Sequence, residues 1–360
     1  MSVPKAASRA AVRVFARPSS VFCASHDAVT LPAMTIRRGY ANTSHAMNLS
    51  SSDVSYNKVG FMFPGQGAQR VGMAASLCDE VVEAKHLFEI ASDIIGYDLL
   101  AKCIDGPKED LDRTAIAQTA IFVSSMAALE KLKRDDLHAY SLCTVTMGLS
   151  LGEYSALCFA GAFSFEDGVK LTQARGEAMQ VAADACESGM VAVTGLDISG
   201  VEAICKAAEA KTGIPISIGN YLMDGSYAVS GAMSACRAVI EIAPSMGARD
   251  AVQLNVAGAF HTDLMEPAVI HLKKALDLVT IRSPRIPVIS NVSAAPHGDP
   301  ESIRKALLKQ VTTPVQWENT IKAMIRAPEF QTCYEIGPGS VCKGIVKRHN
   351  RRVSVVSLSC

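Results

Sequence analysis

The stretch LCTVTMGLSLGEYSALCFA, residues 142–160, reads as strand, tight turn and helix in one run. Leu142–Met147 is a short apolar segment, Gly148 closes it, and residues 151–160 follow in a helical pattern. Between them, Gly148-Leu149-Ser150-Leu151-Gly152 fits the G-x-S-x-G pattern, in which a serine is presented on a sharp strand-to-helix turn. The pattern has a steric origin: where the backbone approaches itself, positions two residues either side must be small. A glycine-rich turn with a capping serine would carry the same letters, but the flanking strand and helix favour a nucleophile elbow. Ser150 is the candidate nucleophile. Leu151 opens the helix, so its free amide is a candidate donor to an oxyanion.

The same grammar recurs upstream and changes downstream. Val59-Gly60-Phe61-Met62-Phe63 predicts a buried strand that stops at Pro64-Gly65, and helices are predicted over 80–95 and 115–133. Residues 189–256 keep a different rhythm. Met190–Gly195 predicts a strand, Ser199–Ala210 a helix with Ser199 as N-cap, and Pro215–Asn220 a strand. Asp224-Gly225 predicts a turn into a strand at Tyr227–Ser230, then a helix over 232–245 and a strand at Ala251–Val256. That order, βαββαβ, is ferredoxin-like. The expected fold is α/β: a large domain over 58–186 and 257–350 with a parallel sheet, interrupted by a small ferredoxin-like domain over 187–256.

Composition bounds the function. The 360 residues hold 35 basic and 35 acidic groups, so no strongly basic face points to nucleic acid. The balance conceals an asymmetry. Residues 1–46 carry Lys5, Arg9, Arg13, Arg17, Arg37 and Arg38 against the single acid Asp27, leaving the remainder net acidic. An Arg-rich, acid-poor leader reads as a transit peptide over 1–46, followed by a polar linker over 47–57. Arg38-Gly39-Tyr40-Ala41 resembles a mitochondrial presequence cleavage site, so the expected location is the mitochondrial matrix, with the plastid stroma as alternative. The 11 cysteines are scattered without a CxxC pair, which suits reduced core thiols. No metal is expected, since no His/Cys/Asp cluster has ligand spacing, and no apolar run is long enough for a membrane span.

A nucleophilic serine needs a base. Of 8 histidines, His261 stands apart: it follows an apolar strand in the small-residue loop Ala257-Gly258-Ala259-Phe260-His261-Thr262, where a fold presents side chains to a cleft. His86, His138 and His271 fall in helical or charged stretches, and His349 in a basic tail. The loop FPGQGAQ (63–69) after the first strand lacks the spacing of a phosphate-binding loop. Arg175 lies in the helical stretch LTQARGE (171–177), where a lone arginine is ordinarily solvated or paired.

Together these pieces resemble one family. FPGQGAQ (63–69), GLSLGEYSAL (148–157), an arginine 25 residues past the serine, GAFH (258–261) and PVQW (314–317) occur in the order found in malonyl-CoA:acyl-carrier-protein transacylases. The resemblance runs from about Val59 to Lys347, and its wording is most similar to plant and algal-type organellar forms. It implies a hydrolase-like α/β core with a ferredoxin-like insert. It also implies malonyl transfer from malonyl-CoA to acyl carrier protein for fatty-acid synthesis; no cofactor and a monomeric chain are expected. By the same resemblance Ser150 is the nucleophile and His261 its base. The amides of Gln66 and Leu151 form the oxyanion hole, and Arg175 pairs with the malonate carboxylate. Asn220 lines the site, Phe260 crowds branched substrates, and the main-chain carbonyl of Gln316 orients His261. Two positions depart from the family: Leu149 replaces a histidine common beside the serine, and Leu222 replaces an asparagine common two residues past Asn220.

Two other classes compete. A serine esterase of the α/β-hydrolase class would use the same elbow with a later histidine, His297 or His349. A non-catalytic docking module would lack a nucleophile or a base, and the sequence has both. For an acidic carrier protein, Lys343, Lys347, Arg348, Arg351 and Arg352, with Arg282 and Arg285, are candidate contacts.

Overall fold

The computed structural model describes residues 58–325 and 330–360. The leader and linker expected over 1–57 lie outside the described residues. Nine strands occur in what is described: β1 (Lys58–Phe63), β2 (Cys143–Gly148), β3 (Ser188–Thr194), β4 (Ile216–Met223), β5 (Ser226–Ala232), β6 (Asp250–Gln253), β7 (Val288–Ile289), β8 (Phe330–Ile336) and β9 (Ser354–Leu358).

They form two sheets. The larger has the order β7-β2-β1-β8-β9, with every neighbouring pair parallel. Its central strand is buried on both faces, which explains why β1 is continuously apolar rather than alternating. Phe61 and Phe63 enter one core, with Phe122, Leu157 and Phe159. Met62 enters the opposite one, with Met147, Trp317, Ile321 and Cys333. Each such burial contributes about 1.5–3 kcal/mol. Parallel pairing of β1 with β2, in register Phe63↔Gly148, brings the loops after both strands to the same sheet edge. A direct bond joins them there, from Leu149 N to Phe63 O at 3.0 Å.

The smaller sheet has the order β4-β5-β3-β6, all antiparallel, with helices Ile198–Thr212 and Met233–Ile242 between its strands. This is the ferredoxin-like arrangement expected from the sequence, with its own core of Val191, Val193, Val201, Ile204, Val229 and Val239. Three local expectations change. The first helix is capped by Asp197 rather than Ser199, because the Asp197 carboxylate reaches Gly200 N at 2.8 Å. The second stops at Ile242 and tightens into a 3₁₀ turn that contains Pro244. β6 ends at Gln253, short of Val256.

The chain beyond residue 340 is not a tail. Val341–His349 is a helix whose Cys342, Ile345 and Val346 are buried, and β9 then extends the parallel sheet beside β8. The expected end of the large domain at residue 350 therefore omits one strand of its sheet. No described helix is long and apolar enough to cross a membrane.

Candidate active site

Ser150 sits at the edge shared by β1 and β2 with φ 50°, a left-handed conformation that a serine adopts only when its surroundings impose it. The elbow glycines are required sterically. A Cβ on Gly148 would lie 1.9 Å from the Gly152 backbone, and one on Gly152 would lie 2.3 Å from Phe63 O. Asn291 braces the turn, accepting from Ser150 N at 2.6 Å through Oδ1 and donating to Gly148 O at 2.7 Å through Nδ2.

His261 is left-handed as well, φ 64°, and is buried. The small sheet holds its loop: Ser230 Oγ donates to Phe260 O at 2.7 Å, and Ala259 N donates to Ser188 Oγ at 3.1 Å. The imidazole Nδ1 lies 2.7 Å from the main-chain carbonyl of Gln310, and Nε2 lies 2.9 Å from Ser150 Oγ. A carbonyl only accepts, so the proton is on Nδ1 and the Nε2 lone pair faces the serine hydroxyl. Burial, and secondarily the Arg175 charge, push the His261 pKa down to about 4, which leaves the ring neutral at physiological pH.

The orienting carbonyl is Gln310's and not the expected Gln316's. Gln310 ends the helix Pro300–Gln310, where the last carbonyls have no partner within the helix. The Gln316 carbonyl is taken up at the start of the helix Trp317–Ile325, by Thr320 N and Thr320 Oγ1, both at 2.9 Å. Gln316 contributes indirectly, its amide donating to Asn291 O at 2.8 Å.

Arg175 projects from the helix Phe165–Asp184 and is 1% exposed. Gly176 lets this helix close on Thr114–Asp135, since a Cβ there would lie 2.7 Å from Thr114 O. That approach brings Gln118 to Arg175: Nη1 donates to Gln118 Oε1 at 2.6 Å and Nη2 to Gln310 Oε1 at 2.8 Å. Nη2 also reaches Ser150 Oγ at 3.0 Å, and the guanidinium carbon lies 5.4 Å from the Tyr154 ring centroid. The hydrogen-bond acceptors are thus neutral oxygens; Glu177 turns away to Gln173. A buried cation held by neutral groups has its charge available to an anion.

The amides of Gln66 and Leu151 take no part in the turn, loop and cap hydrogen bonds of the described residues, and the two loops that carry them touch. Asn220, in β4, bridges to Val315 just before the helix Trp317–Ile325, with its Oδ1 buried and unpartnered among the described residues. Phe260 is packed in the core next to the base. A cleft of 590 Å³ lined by Ser217, Ser230, His261, Leu264 and Pro314 opens beside the imidazole.

Neither histidine required by the esterase reading reaches Ser150. His297 Nε2 bonds Glu153 Oε1 at 2.6 Å, while His349 lies on the C-terminal helix with Nε2 buried and unpartnered among the described residues. Sequence reasoning missed Gln118, Gln310 and Asn291, because a buried amide used as a tertiary brace leaves no local pattern. Glu153 lies within GLSLGEYSAL (148–157), where an acid in the first helical turn is ordinarily a surface residue.

Comparison with known proteins is consistent throughout. The acyl transferase domain family matches residues 60–358. The mitochondrial malonyl-CoA-acyl carrier protein transacylase of Mus musculus is 40% identical over 300 residues, covering 81% of this chain and 78% of its own. The malonyl CoA-acyl carrier protein transacylase structure from Coxiella burnetii superposes with TM-score 0.80 at 34% identity, covering 84% of this chain and 94% of its own. A malonyl-transacylase solved in complex with a type II PKS acyl-carrier protein gives TM-score 0.78 at 32% identity, covering 83% and 95%.

Proposed function

The chain belongs to the acyl transferase domain family, and from that premise we propose that it moves malonyl from malonyl-CoA to the phosphopantetheine thiol of acyl carrier protein, for fatty-acid synthesis. One observation carries the reading. Ser150 Oγ lies between a neutral imidazole lone pair at 2.9 Å and a buried guanidinium at 3.0 Å that no carboxylate neutralises through a hydrogen bond.

The chemistry follows from that placement. Ser150 Oγ attacks the thioester carbonyl as its proton passes to His261 Nε2. The Gln66 and Leu151 amides receive the oxyanion, and Gln310 O supports the imidazolium through Nδ1. The tetrahedral intermediate collapses, the C–S bond breaks, and CoA leaves with the proton from Nε2. The pantetheine thiol of the carrier then attacks the malonyl-serine ester by the reverse path, and Ser150 recovers its proton. Arg175 offers a planar fork to the free carboxylate of malonate throughout. Phe260, beside the base, limits room for a branched acyl group, and Asn220 supplies a polar neighbour to the site. CoA and carrier protein are substrates, and no resident cofactor enters the scheme.

The acidic carrier docks on basic residues of the C-terminal helix and the turn that follows. Lys343, Arg348, Arg351 and Arg352 are exposed there. Arg285 is less available, because its guanidinium stacks on Phe159 at 4.5 Å and donates to Phe159 O. Lys347 Nζ is turned to Val353 O at 2.8 Å. Reversing Lys343 and Arg348 to glutamate should slow transfer to carrier protein and weaken its salt dependence, while leaving malonyl loading from malonyl-CoA unchanged. Transfer rates indifferent to both salt and charge reversal would remove this surface.

Residues 1–46 are the presequence, delivering the chain to the mitochondrial matrix rather than the plastid stroma; the name of the mouse relative supports that choice. A fluorescent reporter fused to residues 1–46 that failed to co-localise with mitochondria would exclude it. The chain works as a monomer, the site being complete in one copy and needing no residue of a second. A sedimentation measurement showing a stable dimer would overturn that assignment.

A further inference from the structure

Beneath the elbow lies a buried acid–histidine pair that the reaction scheme does not use. Glu153, in the first turn of the helix after Ser150, is fully buried, and its side chain and that of His297 are 1% and 2% exposed. Glu153 Oε1 accepts from His297 Nε2 at 2.6 Å. Glu153 Oε2 accepts from Gln310 Nε2 at 2.5 Å and from Asn291 N at 3.3 Å. A carboxylate inside a protein is stable only where donors surround it, and here three N–H groups, two from the loop after β7 and one from the end of the helix Pro300–Gln310, converge on one.

Two of those three donors belong to the residues that shape the catalytic pair. Asn291 clamps the elbow backbone on both sides of the nucleophile, at Ser150 N and Gly148 O. Gln310 meets Ser150, His261 and Arg175: its main-chain O accepts from His261 Nδ1, its Oε1 from Arg175, and its Nε2 donates to Ser150 O at 3.0 Å as well as to Glu153. The orientation of that side-chain amide is forced, because arginine can only donate to it and a carboxylate can only accept from it. Removing the carboxylate frees the Gln310 amide to turn and leaves the Asn291 amide without its acceptor.

We propose that Glu153 and His297 form a positioning dyad, in which the histidine-clamped carboxylate fixes Gln310 and Asn291 and thereby sets the geometry between Ser150 and His261. In a triad the acid holds the histidine directly. Here the acid is displaced by one residue: His261 bonds a neutral carbonyl, and the buried carboxylate holds the residue that supplies it. His297 closes the network and itself lines a surface depression with Pro284, Arg285, Pro287 and Pro296.

The inference rests on Ser150 and His261 being the catalytic pair, which malonyl loading of the unaltered protein tests separately. Three full-length variants carry the test: Glu153→Gln, His297→Ala and His297→Gln. The measurements are single-turnover acylation rate, half-saturating malonyl-CoA concentration and melting temperature. A misplacement of about 1 Å costs on the order of 100-fold, so Glu153→Gln and His297→Ala should each lower the acylation rate roughly 10- to 100-fold. Half-saturation should rise by much less than the rate falls, because Arg175 keeps its bond to Gln118 Oε1 when Gln310 turns, and malonyl and acetyl thioesters should both lose rate, since the Ser150–His261 geometry serves both. His297→Gln, which keeps an N–H donor for Glu153, should recover most of the loss. Folded Glu153→Gln with an unchanged rate would overturn the proposal, as would His297→Gln being as impaired as His297→Ala. If Glu153→Gln does not fold, the comparison of the two His297 variants decides alone.

Discussion

Arg175→Ala will lose malonyl transfer by roughly 30-fold to several-thousand-fold while retaining most activity on acetyl-CoA. The magnitude follows from the environment. The malonate carboxylate must leave water to reach Ser150, and truncating one partner of a buried charged pair costs about 2–5 kcal/mol. A factor of ten in rate corresponds to about 1.4 kcal/mol. In the free protein the guanidinium rests on Gln118 Oε1 and Gln310 Oε1, which position it without cancelling its charge. Acetyl-CoA has no carboxylate, so its loss is confined to the bracing that Nη2 gives Ser150 Oγ and Gln310 Oε1. Arg175→Lys should recover part of the malonyl rate, because a point charge reproduces the attraction but not the fork. Parallel kinetics with the two thioesters check this. Equal losses would mean that Arg175 supports the site as a whole and does not select the substrate.

His261→Ala will slow acylation by about two to four orders of magnitude, the usual contribution of a general base. The same residue sets the pH dependence. Burial and the nearby Arg175 charge lower its pKa to about 4, so the base is active throughout the neutral range and is lost as pH falls through that value. The limb of kcat/KM for malonyl-CoA should therefore break well below the ordinary histidine range. Bound malonate neutralises Arg175, so the corresponding limb of kcat should break at higher pH. The shift also has a stability sign. Between the ordinary histidine pKa and about 4, the unfolded chain binds a proton that the folded chain refuses. Stability contributed by the neutral ring is thus complete above the unfolded pKa and declines as pH falls through this window. A kcat/KM limb centred near 6.5 would contradict the assigned environment.

Much of this was readable in the letters, and the remainder was not for physical reasons. The continuous apolar run of β1 and the glycines around Ser150 are local constraints, so the elbow, the parallel sheet and the ferredoxin-like order could be read directly. Asp197 as the cap in place of Ser199 was a local matter too, settled by which side chain reaches Gly200 N. The C-terminal helix was hidden because its basic residues suggested a tail, although Cys342, Ile345 and Val346 recur at helical spacing on its buried face. The choice of Gln310 over Gln316 was of another kind. Both residues have a carbonyl, and only the tertiary fold determines which one is left free at a helix C-terminus and which is consumed at a helix start. Gln118 and Asn291 likewise act across long sequence separations as neutral braces, a role without charge, periodicity or motif.

The most direct measurement is the intact mass of the purified protein after exposure to malonyl-CoA, followed by addition of acyl carrier protein. The protein should gain the mass of one malonyl group, located on the peptide containing Ser150, and lose it to the carrier's phosphopantetheine. Ser150→Ala should gain nothing. A Ser150→Ala protein that still acquires one malonyl group, or an adduct on the unaltered protein that releases free malonate without passing to the carrier, would contradict the account.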